Sequence, residues 1–168
     1  MDSVNVPVPG RVAALASRIR PALAPFETVR ERHTLVVKRV GEAEPAGLEK
    51  RVRRALTGTP AFEARVSGVG TFAEPAAGRG PVVYLAVESP GLVELHRRLC
   101  ESFEPVPGIE GEDYVPHVTL ARGGGAEAEA AVERLVEAGV EPVTWTVSEL
   151  VLWDAGYGEV VGRVSLPG

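Results

Sequence analysis

His117 and Thr119 stand two residues apart in an alternating apolar stretch, Tyr114 to Arg122. A strand has a side-chain period of two, so the imidazole and the hydroxyl project from one face. That pair suits phosphate chemistry. The imidazole titrates near neutral pH and can take or give a proton, while the hydroxyl can donate a hydrogen bond to a phosphate oxygen. A second stretch echoes the first: Arg32-His33-Thr34-Leu35 shares its Thr-Leu with Thr119-Leu120, 85 residues further along a chain of 168. It too lies in alternation, from Thr28 to Val40, with Arg30, Arg32, Thr34 and Val36 on one face and Val29, His33, Leu35 and Val37 on the other.

Matching the two Thr-Leu pairs sets Arg32 in the place of His117. A guanidinium stays protonated and cannot serve as a general base, but it is a good bidentate phosphate ligand. On this reading His117, Thr119, Thr34 and Arg32 surround one phosphate. A bulge that turns His33 inward is the alternative, since bulges re-aim side chains beside active sites. Arg122 falls on the alternate face from His117 and reads either as a structural ion pair or as a substrate contact.

The elements that must position these groups follow from periodicity. Val4, Val6 and Val8 make a first strand, closed by Pro9-Gly10. A helix from about Arg11 carries Val12, Leu15, Ala16 and Ile19 on one stripe. A second helix, about Pro45 to Leu56, carries Leu48, Val52 and Leu56. Phe62 to Phe72 and Pro81 to Val87 read as strands around a Gly/Pro-rich loop. Ser89-Pro90 is an N-cap with Pro in the first turn, opening a helix striped by Leu92, Leu95, Leu99 and Phe103. Gly123-Gly124-Gly125 ends the His117 strand, and an Ala/Glu-rich helix runs to about Ala138. Val143 to Trp153 and Glu159 to Leu166 read as two closing strands. The order β-α-β-α-β-β-α-β-α-β-β predicts an α+β fold: two β-α-β-α-β lobes related by a pseudo-two-fold, antiparallel sheets lining a central cleft, helices outside, in one domain over residues 1–168.

Composition narrows the partners. A net charge of −5 and a pI near 5.3 argue against nonspecific coating of nucleic acid, yet allow a small basic cleft. Of the 18 basic residues only Lys38 and Lys50 are lysines. Cys100 is the only cysteine, so neither an intrachain disulfide nor a cysteine zinc site is expected. No signal-peptide pattern and no apolar run of about 20 residues is visible, so the expectation is a cytoplasmic monomer with no membrane partner.

Other signals are weak. Gly68-x-Gly70-x-x-Ala73 has the letters of a dinucleotide loop but Glu74-Pro75 follows where a helix should start, and the triple Gly lacks the Lys-Ser/Thr of a P-loop. Glu110, Glu112 and Asp113 read as a solvated loop in preference to a cation site. Lys50, Arg51, Arg53 and Arg54 form a basic helix face, solvated or touching an RNA backbone. Trp145, Trp153 and Tyr84 could stack a base, with core packing the favoured use. His96, beside an apolar stripe, reads as structural.

Tyr114-Val115-Pro116-His117-Val118-Thr119-Leu120-Ala121-Arg122 resembles the second motif of the two-histidine phosphoesterases, which include RNA 2',3'-cyclic phosphodiesterases and the so-called 2'-5' RNA ligases. Gly68 to Phe72 and Pro81 to Val87 are similar to the strand pair between that family's motifs, and the order of elements agrees from end to end. The resemblance implies two His-x-Thr/Ser motifs and metal-free, cofactor-free in-line chemistry. One imidazole would be the base and the other the acid, acting on an RNA end or small nucleotide that carries a 2',3'-cyclic phosphate. It implies that His117 is the acid/base and that Thr34 and Thr119 hold phosphate oxygens. Arg32, Arg122 and His33 would contact the substrate. The first motif departs from the pattern, because Arg32 stands in the first histidine's place. The alternatives are a phosphate-binding module that has lost turnover and a partner-binding protein with a relic cleft.

Overall fold

A computed structural model describes residues 2–41 and 45–167. The alternating segments form β1 (Asp2–Val6), β2 (Thr28–Val29), β3 (Leu35–Gly41), β4 (Phe62–Phe72), β5 (Val82–Glu88), β6 (His117–Arg122), β7 (Val143–Val147), β8 (Glu149–Asp154) and β9 (Glu159–Ser165). The 3.6-period segments form α1 (Gly10–Ile19), α2 (Pro45–Ala55), α3 (Pro90–Cys100) and α4 (Ala126–Ala138). Among the described residues no helix is long and apolar enough to cross a membrane.

The strands make one antiparallel sheet in the order β7-β4-β5-β6-β3-β1-β8-β9, with β2 paired to β6. The sheet curls into a half-barrel. Helices cover its convex side with the predicted stripes: Val12, Leu15, Ala16 and Ile19 of α1, and Leu92, Leu95 and Leu99 of α3, are buried. Ser89 caps α3 by accepting from the Leu92 N–H at 3.1 Å, and its hydroxyl donates to the Glu63 carbonyl at 2.6 Å, which fixes the helix start against β4.

Two predicted strands are each split. Ser148 divides Val143–Trp153: β7 pairs with β4, and β8 pairs with β1 near the other end of the sheet. The segment from Thr28 to Val40 is broken as well. The Arg30 N–H donates to the Leu120 carbonyl at 2.8 Å, and the next bridge joins Leu35 to Val118. Residues 31–34 therefore face Thr119 alone across the pairing, and the chain loops out there instead of running straight. The first strand ends at Val6 and the His117 strand begins at His117, each shorter than its apolar pattern.

The two halves superpose in register. β1 pairs with β3 through Ser3↔Arg39, Val4↔Lys38, Asn5↔Val36 and Val6↔Leu35. β5 pairs with β6 through Val82↔Arg122, Val83↔Ala121, Tyr84↔Thr119 and Leu85↔Val118. The β5–β6 ladder contains one extra residue, Leu120, and the β1–β3 ladder two, Val37 and Val40, of which Val37 falls at the same point as Leu120. Matching Val37 to Leu120, the choice that also aligns the burial pattern of the two strands, pairs Leu35 with Val118, Val36 with Thr119 and Arg39 with Arg122. The offset between the halves is 83 residues, not the 85 of the Thr-Leu repeat.

Candidate functional site

The correspondence changes which residue faces His117's role. Exposure along Thr34–Arg39 and His117–Arg122 follows one pattern: half-buried, buried, half-buried, buried, buried, half-buried. Thr34, not Arg32, is the counterpart of His117, and Val36 is the counterpart of Thr119. The expectation that Arg32 replaces the first histidine is corrected by the bulges, because matching Thr-Leu letters ignores the extra residues in the ladders. Bulges also shift the phase of alternation. Arg122 consequently lines the same face as His117 and Thr119, contrary to its expected place on the alternate face, and Arg39 joins Val36 on the concave side.

That concave side holds a groove in two adjoining compartments. One, of about 290 Å³, is lined by His117, Thr119, Arg122, Phe72 and Tyr114. The other, of about 380 Å³, is lined by Thr34, Arg30, Arg32, Ser3, Asn5 and Trp153. Val36 and Arg39 line both. Thr119 of β6 and Thr34, just before β3, thus open onto one groove, each into its own compartment. His33 lines neither. Burial first, then the charges of Arg20 and Arg30, hold its pKa below the ordinary value, and it sits on the side of the chain facing those arginines.

His117 is set for one protonation state. Its Nδ1 lies 2.6 Å from the Val115 carbonyl oxygen, and a carbonyl only accepts, so Nδ1 carries a hydrogen, and in the neutral ring Nε2 holds the lone pair. Burial lowers the pKa below 6.5. The Val115 bond opposes that shift, and the Arg39 and Arg122 charges reinforce it. The imidazole is therefore neutral at neutral pH, a base and not an acid. Its ring packs against two touching aromatics, Phe72, edge-on at 5.1 Å, and Tyr84 at 5.2 Å, whose own centroids are 4.5 Å apart. Gly70 makes room for the Tyr84 ring, which a Cβ there would meet at 2.5 Å.

The neighbouring strand β3 is pinned by buried polar contacts. Lys38 and Glu110 pair at 2.6 Å with both side chains fully buried. Lys38 Nζ also donates to the Arg39 and Glu104 carbonyls, and Glu110 accepts from the N–H groups of Arg39 and Val106. Glu110 is thus no solvated acid, contrary to expectation. Burial alone would raise its pKa, but the Arg39 N–H, the Lys38 ammonium and the Val106 N–H outweigh it and hold the carboxyl below its usual value. His96 is structural as expected: Nδ1 donates to the Val37 carbonyl at 2.6 Å, Nε2 accepts from the Gly111 N–H, and Tyr114 stacks on the ring at 3.8 Å.

Charge is concentrated in the groove. The second compartment has three arginines and no carboxylate along its wall. In the first, Arg39 and Arg122 face Glu74 and Asp113. Arg122 Nη1 donates to the Ala77 carbonyl at 3.1 Å, holding the loop after β4, and its Nε is buried without a partner among the described residues. Arg32 donates to the Gly158 carbonyl at 2.6 Å, which anchors it at the rim. Elsewhere, the basic face of α2 is largely spent on its own chain: Arg51 lies over Phe103 and bonds the Ser102 carbonyl, and Arg53 bonds Glu49 and the Arg163 carbonyl. Among the described residues no three His, Cys, Asp or Glu side chains gather as a metal-ligand set.

Sequence reasoning missed Arg39, Phe72, Tyr114 and the Lys38–Glu110 pair. Only Lys38 left a trace, as one of two lysines in an arginine-rich chain, placed inside an apolar strand.

A sequence profile of the 2'-5' RNA ligase superfamily matches residues 33–159. No curated protein matches the chain. Solved structures share the fold: TT0787 of Thermus thermophilus has a TM-score of 0.69 at 23% identity, covering 99% of this chain and 98% of that one. E. coli LigT, in complex with 3'-AMP, has a TM-score of 0.66 at 19% identity with the same coverage. A crystal structure described as a phosphoesterase has a TM-score of 0.63 at 19% identity, again with 99% and 98% covered.

Proposed function

The chain belongs to the 2'-5' RNA ligase superfamily of two-histidine phosphoesterases, and on that premise we propose that it binds RNA ends or small nucleotides bearing a 2',3'-cyclic phosphate and opens the ring with a single imidazole. The observation that carries this reading is His117, its Nδ1 tied to the Val115 carbonyl, lining a groove that also presents Thr119, Arg39 and Arg122; burial favours its neutral form. His117 Nε2 takes a proton from water as its oxygen forms a bond to phosphorus. The P–O bond to one ribose oxygen breaks, and that oxygen collects its proton from solvent. Thr119 donates to a non-bridging oxygen, and Arg39 and Arg122 offset the charge that builds up. Thr34, just before β3, lines the adjoining compartment.

Thr34 and Val36 stand where a second His-x-Thr would complete the acid/base pair. That substitution favours a second reading, a nucleotide-phosphate binding module without useful turnover. Purified protein assayed on 2',3'-cyclic nucleotides with EDTA present, with nucleotide binding measured in parallel, separates the two. The leading reading expects slow hydrolysis that survives chelation and disappears in His117→Ala. Binding without hydrolysis leaves the second reading, and no binding overturns both.

A further inference from the structure

We propose that the compartment of Arg30, Arg32 and Arg39 is a second anion subsite, for a phosphate distinct from the one beside His117, so that the preferred ligands carry two phosphates. The inference rests on the proposed function only for the identity of the first phosphate.

Four observations point to it. Arg30, Arg32 and Arg39 line one wall that contains no carboxylate, in a chain whose net charge is −5; only Arg39 has a carboxylate near it, Glu110 at 3.9 Å. Guanidinium forks match phosphate oxygens and make charge-assisted bonds about twice as strong as neutral ones. Arg32 spends one Nη on the Gly158 carbonyl, which holds its plane at the rim with donors to spare. The compartment contains no general base, because Thr34 stands at the counterpart of His117 and no imidazole lines the wall. It is built for holding, not for proton transfer.

The two compartments adjoin, with Val36 and Arg39 lining both. β3 and β6 are sheet neighbours, spaced about 4.8 Å where paired, and Arg39 borders both spaces. A molecule with its cyclic phosphate at His117 can therefore set a second phosphate on Arg30 and Arg32. That phosphate is either the 5'-phosphate of the same nucleoside or the internal phosphodiester of a longer RNA end.

Calorimetric titration decides the matter with three unreactive ligands: a nucleoside 3'-monophosphate, the 3',5'-bisphosphate, and a dinucleotide ending in a 3'-phosphate. The wild-type protein should bind one or both two-phosphate ligands at least about tenfold more tightly than the monophosphate, as expected for added charge-assisted bonds. Which of the two gains more identifies the source of the second phosphate. Arg30→Ala/Arg32→Ala should erase most of that ratio, whereas His117→Ala should preserve it. Arg30 and Arg32 are exposed, so the variant keeps its fold, checked by its melting curve. A second phosphate that adds nothing, or a gain that survives the double variant, overturns the subsite while leaving the His117 reading intact. Arginine-dependent binding of the two-phosphate ligands without monophosphate binding upholds the subsite and counts against the His117 reading. No binding by any ligand overturns both.

Discussion

Leu35 and Val118 are partners across the seam between β3 and β6, and they are also each other's counterparts in the two halves. The pseudo-two-fold therefore passes through this pair. Everything on the groove face is placed relative to it: one residue before Leu35 is Thr34, one residue before Val118 is His117. The site is a symmetric frame carrying asymmetric chemistry.

If that frame is right, the missing half can be rebuilt. Thr34→His with Val36→Thr should supply a second His-x-Thr and raise hydrolysis of a 2',3'-cyclic nucleotide by up to about 10²-fold, the contribution of one positioned acid or base. The pH profile should become bell-shaped, since the new imidazole must be protonated while His117 is not. Arg32→His should change little. Steady-state rates of the two variants compare the two placements directly.

His117 should leave its signature on the wild-type profile. Its pKa is lowered by burial, against the Val115 bond and with the help of Arg39 and Arg122, so the neutral base persists down to pH values below 6.5. Activity should be flat at neutral pH and fall as acid protonates Nε2, with a midpoint below 6.5. His117→Ala should cost at least about 10²-fold. A midpoint above 6.5 in the pH–rate curve would contradict the assignment.

With one imidazole, the leaving oxygen departs without an enzymatic proton. The rate should therefore depend steeply on leaving-group acidity. A p-nitrophenyl phosphodiester, whose leaving group needs no proton, should turn over much faster than an alkyl analogue, and Thr34→His/Val36→Thr should shrink that difference. Relative rates across a phenol series measure the slope.

The Lys38–Glu110 pair should govern stability. Removing one member of a buried pair leaves a charge uncompensated and costs about 3–5 kcal/mol. For a chain of this size, at about 2–4 °C per kcal/mol, Glu110→Ala should lower Tm by on the order of 10 °C. Lys38→Met/Glu110→Leu should lose less. Glu110 has a folded pKa below its unfolded one, so its contribution is complete above about pH 4.3 and is lost as pH falls through the lower, folded value. Wild-type melts between pH 7 and 3 should show that loss, and Glu110→Gln should flatten it.

The sequence by itself determined the helices, because their apolar stripes at i, i+3 and i+4 leave one way to bury Val12, Leu15 and Ile19 or Leu92, Leu95 and Leu99. It also determined the α+β order and His117-x-Thr119 as one face of a strand, since these depend on local period and on flanking residues. Tertiary structure alone decided the rest. Whether Val37 and Leu120 are bulged depends on the strands beside them, and that one residue of slip brings Arg39 and Arg122 onto the groove and makes Thr34, not Arg32, the counterpart of His117. Ser148 carries no mark of a strand boundary. The chain changes sheet edges there because β4 and β1 offer pairing on opposite sides of a curled sheet. Glu110 looks like any loop acid until folding brings Lys38, 72 residues away, within 2.6 Å. Period is written along the chain, but register is a relation between segments, and it exists only once they meet.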